Sequence, residues 1–113
     1  MRVSIELDNY SINVILILVR CTNEWNLLSK ASENENAIVR REVAKNRNTQ
    51  VHILKKLSYD TNSFVREAVG KNPNTPIGVL ERLLKDPEPW VRLAVEENLN
   101  NPKEKNRRVI YIK

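Results

Sequence analysis

Apolar residues return along this chain in two alternating patterns, each with the spacing of one face of a helix. Phe64, Val65, Ala68 and Val69 fall at i, i+1, i+4 and i+5, and Trp90, Val91, Ala94 and Val95 repeat the arrangement. Between them Ile77, Leu80, Leu83 and Leu84 form a second stripe, with Val51, Leu54 and Leu57 as its earlier copy. A helical period interrupted by short polar stretches predicts pairs of short amphipathic helices. The punctuation agrees: Thr75-Pro76 and Asp86-Pro87 each set a capping side chain before a proline, whose missing N–H costs nothing in a first turn. Asn101-Pro102 repeats this, with Glu104 placed to complete a capping box.

The paired stripes recur at a fixed step. Val39-Arg40, Val65-Arg66 and Val91-Arg92 keep a constant period of 26, and so do Val43, Val69 and Val95, and Asn46, Asn72 and Asn98. Thr49 returns as Thr75, Leu54 as Leu80, Leu57 as Leu83 and Asp60 as Asp86. These columns predict repeats at 34–59, 60–85 and 86–102. A degenerate half repeat at 23–33 precedes them, because Asn23, Leu28 and Ala31 fall on the Thr49, Leu54 and Leu57 columns. The remainder divides into an N-terminal cap at 1–22 and a basic C-terminal tail at 103–113. A helix pair of this length cannot bury both stripes alone, so neighbouring pairs must stack, which makes the expected fold an all-α solenoid.

The string of Val-Arg, Val-Gly, Asn, then Pro-Asn-Thr-Pro and paired leucines, fullest from Val65 to Leu83, closely resembles the variant leucine-rich repeat. That family is similar in style to HEAT and armadillo repeats, and the resemblance covers about residues 23–102. With the periodicity it leads to the expectation of a short right-handed α-solenoid of stacked two-helix repeats. The unit is slightly longer than the family's usual one, so the form of the second helix, α or 3₁₀, is left open. Some members of the family carry an iron–sulfur cluster on a cysteine-rich N-terminal segment; here only Cys21 stands there, and no cluster is expected.

The ends depart from the pattern. Val3, Ile5 and Leu7 alternate as a strand does, and Val14 to Val19 suits a buried strand or a helix, of which a capping helix at 10–20 is preferred. Val109 to Ile112 also has strand character, and two such ends would let copies of the chain associate. At the last unit Lys103 and Asn106 occupy the Ile77 and Leu80 columns, so the array fades as a terminal cap or an unpacked tail does. Met1 at the start and the fading last unit lead to the expectation of a complete small protein, with a fragment of a longer array as the alternative.

Composition narrows the function classes. Only two glycines are present, which leaves little scope for tight hairpins or a phosphate-cradling loop. One cysteine and one histidine cannot assemble a zinc or iron–sulfur site within the chain, and a lone thiol fits a reducing cytoplasm. Six apolar residues cannot span a bilayer, and the acidic Glu6 and Asp8 before them are the wrong flank for a signal peptide. Of the net charge of +5, the tail from 103 to 113 carries +4, and the body is nearly neutral. No triad, carboxylate pair or phosphate loop emerges, so neither an enzyme nor a cofactor is expected.

The candidate residues follow from the columns. Arg40, Arg66 and Arg92 could form a phosphate track, but Asp60 and Asp86, six residues before the second and third, favour a structural ladder between units. In the first unit Asn34 replaces the aspartate, which marks Arg40 as the free member. Asn46, Asn72 and Asn98 read as an amide ladder ending helices. On the second helices His52, Lys55, Lys56, Glu81, Arg82 and Lys85 should be exposed, and in related solenoids such helices line a concave groove, so these residues form the candidate contact surface. Trp25 and Trp90 share columns with Val51 and Ile77, and with Ile38 and Phe64, and read as core or end-layer plugs rather than interface anchors. The expected function is a scaffold or adaptor for an unidentified protein partner. The alternative is a nucleic-acid binder in which Lys105, Arg107 and Arg108 join the second-helix cations on phosphates.

Overall fold

The computed structural model describes residue 7 and residues 10–101. Within them lie seven α-helices and no strand: α1 (Ile12–Cys21), α2 (Trp25–Ala31), α3 (Ala37–Lys45), α4 (Val51–Leu57), α5 (Ser63–Lys71), α6 (Ile77–Leu83) and α7 (Pro89–Asn100). The starts of α3, α5 and α7 keep the step of the sequence columns, as do those of α2, α4 and α6. The second helix of each pair is thus α-helical. The apolar run Val14 to Val19 lies in α1, the helical alternative of the two open for it. The strand-like Val3 and Ile5, Val109 to Ile112, and the capping box expected at Asn101-Pro102-Glu104 lie wholly or partly outside the described residues.

The odd-numbered helices form one layer, in which α1 packs on α3, α3 on α5 and α5 on α7. The even-numbered helices form a second layer and pack chiefly on the odd-numbered helices before and after them. A core of aliphatic side chains fills the space between the layers: Val39, Val43, Val65, Val69, Val91 and Val95 from the first, Leu28, Leu54, Leu57, Leu80 and Leu83 from the second. Each such side chain withdrawn from water contributes roughly 1.5–3 kcal/mol, which short helices need because few isolated turns hold in water. At Gly70 the first-layer helices approach so closely that an added Cβ would stand 2.9 Å from Val95 Cγ2.

Each expected stripe is buried as read except for members at its leading edge. Val51 and Trp25 are exposed, and the buried column one step round the helix is Leu27, Ile53 and Val79. Ile38, Phe64 and Trp90 are likewise exposed, at 50%, 53% and 38%, so neither tryptophan plugs the core. The capping expectations are corrected too. The N-cap of α6 is Pro76, and Thr75 instead turns its hydroxyl inward to donate to the Val69 carbonyl at 2.6 Å, closing the end of α5. Thr49 does the same to Val43 at 2.6 Å. Asp86 stands two residues ahead of Glu88, the N-cap of α7, and accepts the Glu88 N–H at 3.0 Å.

Asparagine side chains tie one unit to the next. The Asn72 amide donates to the Ala44 and Asn46 carbonyls at 2.8 and 3.0 Å, and the Asn98 amide to Gly70 and Asn72 at 2.7 and 3.0 Å. Asn46 makes the corresponding pair to Val19 and Thr22, both at 2.8 Å. All three asparagines are buried. Replacing Asn72 with alanine strands two carbonyls away from water and should lower unfolding free energy by about 3 kcal/mol, whereas Asn48→Ala on the surface should change it by about 0.5 kcal/mol or less; urea denaturation of both variants measures the difference.

Candidate functional site

The arginine column is built from the same repeat geometry and is turned inward along the stack. Arg40 meets Asp60 with two hydrogen bonds, Nε to Oδ2 at 2.7 Å and Nη2 to Oδ1 at 3.1 Å. Arg66 meets Asp86 in the same fork at 2.8 and 3.2 Å. The carboxylate therefore comes from the following unit, and the residue six positions back supplies its backbone carbonyl instead: Asn34 to Arg40, Asp60 to Arg66, Asp86 to Arg92. This corrects the expectation that Arg40 is free, since the aspartate missing at position 34 was never its partner. Among the described residues Arg92 is the one of the three that meets no carboxylate, and position 112, which continues the Asp60 and Asp86 column, is isoleucine.

Electrostatics follow from this geometry. Burial by itself would raise the Asp60 carboxyl, but hydrogen bonds from Arg40 and the Asn62 N–H, with the charges of Arg40 and Arg66, hold it below the ordinary 3.8. Asp86 is held low in the same way by Arg66 and the Glu88 N–H, with the charges of Arg66 and Arg92, against the same burial. Both arginines are raised, by the hydrogen bond to the aspartate first of all, so they stay protonated throughout.

The second-layer candidates are all exposed: His52, Lys55, Lys56, Glu81, Arg82 and Lys85. They do not converge on one point. Lys56 and Arg82 are engaged between units, Lys56 Nζ donating to Ser32 Oγ at 2.7 Å and Arg82 Nη2 to Ser58 Oγ. The Arg82 guanidinium also lies over the Tyr59 ring, 3.8 Å from its centroid. Lys30 shares their column and is exposed as well. Lys105, Arg107 and Arg108 lie outside the described residues.

The surface that the sequence reading missed is on the first layer, where α3, α5 and α7 each present an exposed ridge at i, i+3 and i+7. The ridges are Ile38, Arg41 and Lys45 on α3, then Phe64, Glu67 and Lys71 on α5, then Trp90, Leu93 and Glu97 on α7, all exposed save the half-buried Glu67. Phe64 and Trp90 stack with centroids 5.7 Å apart and planes 13° from parallel, and Trp90 Nε1 donates to Ser63 Oγ at 3.2 Å. Beside the ridges the buried Glu42 carboxylate holds Arg20 Nε at 3.1 Å and Lys45 Nζ at 3.6 Å. No group of three metal-ligating side chains occurs among the described residues, and none of their helices is long and apolar enough to cross a membrane.

Residues 64–88, from Phe64 through α6 to the N-cap of α7, match the family model described as leucine rich repeat variant, a helical repeat. No curated protein and no solved structure matches the chain.

Because Asp60 and Asp86 have lowered values when folded, their contribution to stability is complete above 3.8 and is lost as pH falls through the folded values below it. Asp86→Asn should cost about 2 kcal/mol at neutral pH, and the gap from the parent should narrow as pH is taken below about 4; chemical denaturation across that range reads both effects.

Proposed function

We propose that this chain, which carries a leucine rich repeat variant unit in its second half, is a non-enzymatic scaffold or adaptor that binds another protein in the cytoplasm. In this reading the helix pairs form a short right-handed α-solenoid whose job is to hold side chains at a regular pitch. The observation that carries the proposal is the coexistence of a tightly hydrogen-bonded interior with large apolar side chains left outside in register, Ile38, Phe64 and Trp90 on one layer and Trp25 and Val51 on the other. Apolar side chains gathered in rows on a folded surface mark sites of macromolecular contact, because association removes them from water. The single cysteine supports a reducing compartment.

One observation favours a second reading. Lys30, Lys56 and Arg82 recur at the repeat step on exposed second-layer faces, with Lys55 and Lys85 beside them, as cations tracking a phosphate backbone would. Against it, Glu33 lies 3.8 Å from Lys56, Glu81 adjoins Arg82 in sequence, and the chain before residue 103 is nearly neutral.

Affinity capture with the full chain from nuclease-treated lysate, together with anisotropy of labelled duplex and single-stranded nucleic acid at about 50 and 200 mM salt, separates the two readings. The scaffold reading expects a protein retained at the higher salt and no nucleic-acid complex at the lower one. Nucleic-acid binding that collapses by about 1000-fold between the two concentrations, with no protein retained, would replace it by the second reading.

A further inference from the structure

We propose that α1 is the interface of a twofold dimer, in which its outward stripe of Val14, Ile17, Leu18 and Cys21 packs antiparallel on the same stripe of a second copy of this chain. The inference goes beyond the partner-binding reading above and stands on a different helix. Its starting point is composition: of the 10 residues of α1, Asn13 and Arg20 alone are polar. A helix apolar on every side is built to be covered on every side. The structure covers one of them. Ile15 and Val19 are buried, Leu16 is half-buried against the core, and the helix packs chiefly on α3 and α2.

The uncovered side is as regular as the covered one. With about 3.6 residues per turn, Val14, Leu18 and Cys21 fall on the far side of the helix from Leu16, and Ile17 lies beside them. All four are exposed, Ile17 by 59%. They stand at i, i+3, i+4 and i+7, the spacing of a seam between paired helices. Arg20, the one charge in α1, is turned to Glu42 of α3 and leaves the stripe uncharged.

The chemistry of the stripe selects its occupant. A covering surface must be apolar and uncharged over two helical turns, since a charge pressed there would lose water and gain no partner. The stripe itself has that character, and its spacing reads the same from either end. Turned antiparallel about a point between Ile17 and Leu18, Val14 meets Cys21 of the second copy and Ile17 meets Leu18, so every member finds an apolar neighbour. The row Ile38, Phe64 and Trp90, by contrast, is interleaved with Arg41, Glu67 and Lys71. At the other end of the stack α7 sets the exposed Glu96 in the column of the buried Ala44 and Gly70. A copy stacked head to tail on α7 would press that carboxylate into its apolar stripe, so the pairing closes on itself and stops at two. One short helix from each copy falls short of the roughly 1,200 Å² at which standard interfaces begin, which sets the dissociation constant at about 10–100 µM.

Sedimentation equilibrium of the full chain under reducing conditions, from about 1 to about 500 µM, tests the pairing. The average mass should rise from 13.2 kDa toward twice that value and stop there. Ile17→Glu, at an exposed position and with helicity checked by circular dichroism, should weaken association about tenfold or more. Cross-linking gives a second measurement that leaves the seam apolar. In Val14→Cys, oxidation with diamide should join copies through the thiol introduced at position 14 and Cys21 of the second copy. The parent should yield little, because its two Cys21 residues stand about 10 Å apart along the paired helices, beyond the reach of a disulfide. A mass fixed at 13.2 kDa at every concentration, as when the chain's own first residues or a different protein cover the stripe, overturns the proposal; so does growth past two copies. A dimer that Ile17→Glu leaves intact overturns the choice of face. Cross-linking that is absent from Val14→Cys, or as strong in the parent, overturns the antiparallel arrangement. The partner-binding reading stands or falls separately, by the affinity capture.

Discussion

Stacking short helices buries their ends, and the ends of helices carry carbonyls that no intrahelical donor reaches. Asn46, Asn72 and Asn98 answer that constraint, each sending its amide to two carbonyls of the unit before it. For Asn46 and Asn72 the amide oxygen meanwhile accepts an N–H in its own turn, from Asn48 and Asn74. A side chain with two donors on one nitrogen and an acceptor beside them is what this geometry needs; an aspartate would bring a charge and no donors. The bonds satisfy buried groups and also fix the register of one unit on the next, since a slip along the axis would leave those donors and carbonyls without partners.

The other inter-unit contacts depend on that register. The fork between Arg40 and Asp60, and its copy between Arg66 and Asp86, closes only when the following unit is held at one height and angle. The same register brings Lys56 to Ser32, Arg82 to Ser58, and Phe64 to Trp90. Exposed side chains thereby inherit the regularity of the interior, on a surface whose spacing is set by buried amides.

Much of this was legible from periodicity. A column of identical residues at a constant step implies identical surroundings, which is why the step of the helices and the asparagine column could be read from the chain alone. Phase was harder. In α4 both the Val51 column and the Ile53 column are apolar in neighbouring units, and hydrophobicity alone does not say which one faces inward. The direction of the arginine contact was hidden for a similar reason: in a periodic array Asp60 both precedes Arg66 and follows Arg40 at a constant spacing, and only the way the guanidinium leans decides between them. The exposed first-layer ridges could have been found from Ile38, Phe64 and Trp90, a column that grows bulkier unit by unit where a packed core would keep its volume.

Glu42 occupies the column that is Ala68 and Ala94 in later units, and this exception alters how the stack holds together. Between α3 and α5, and between α5 and α7, the seam is closed by a shielded Arg–Asp fork and close-packed small side chains. Between α1 and α3 the corresponding anchor is Arg20, half in water, gripping Glu42 through a single nitrogen. Neighbour-coupled arrays come apart at their weakest joint. Of the three joints between first-layer helices, the one at α1 thus holds the ion pair most open to water, and dissolved salt, which leaves the shielded forks largely untouched, weakens it most.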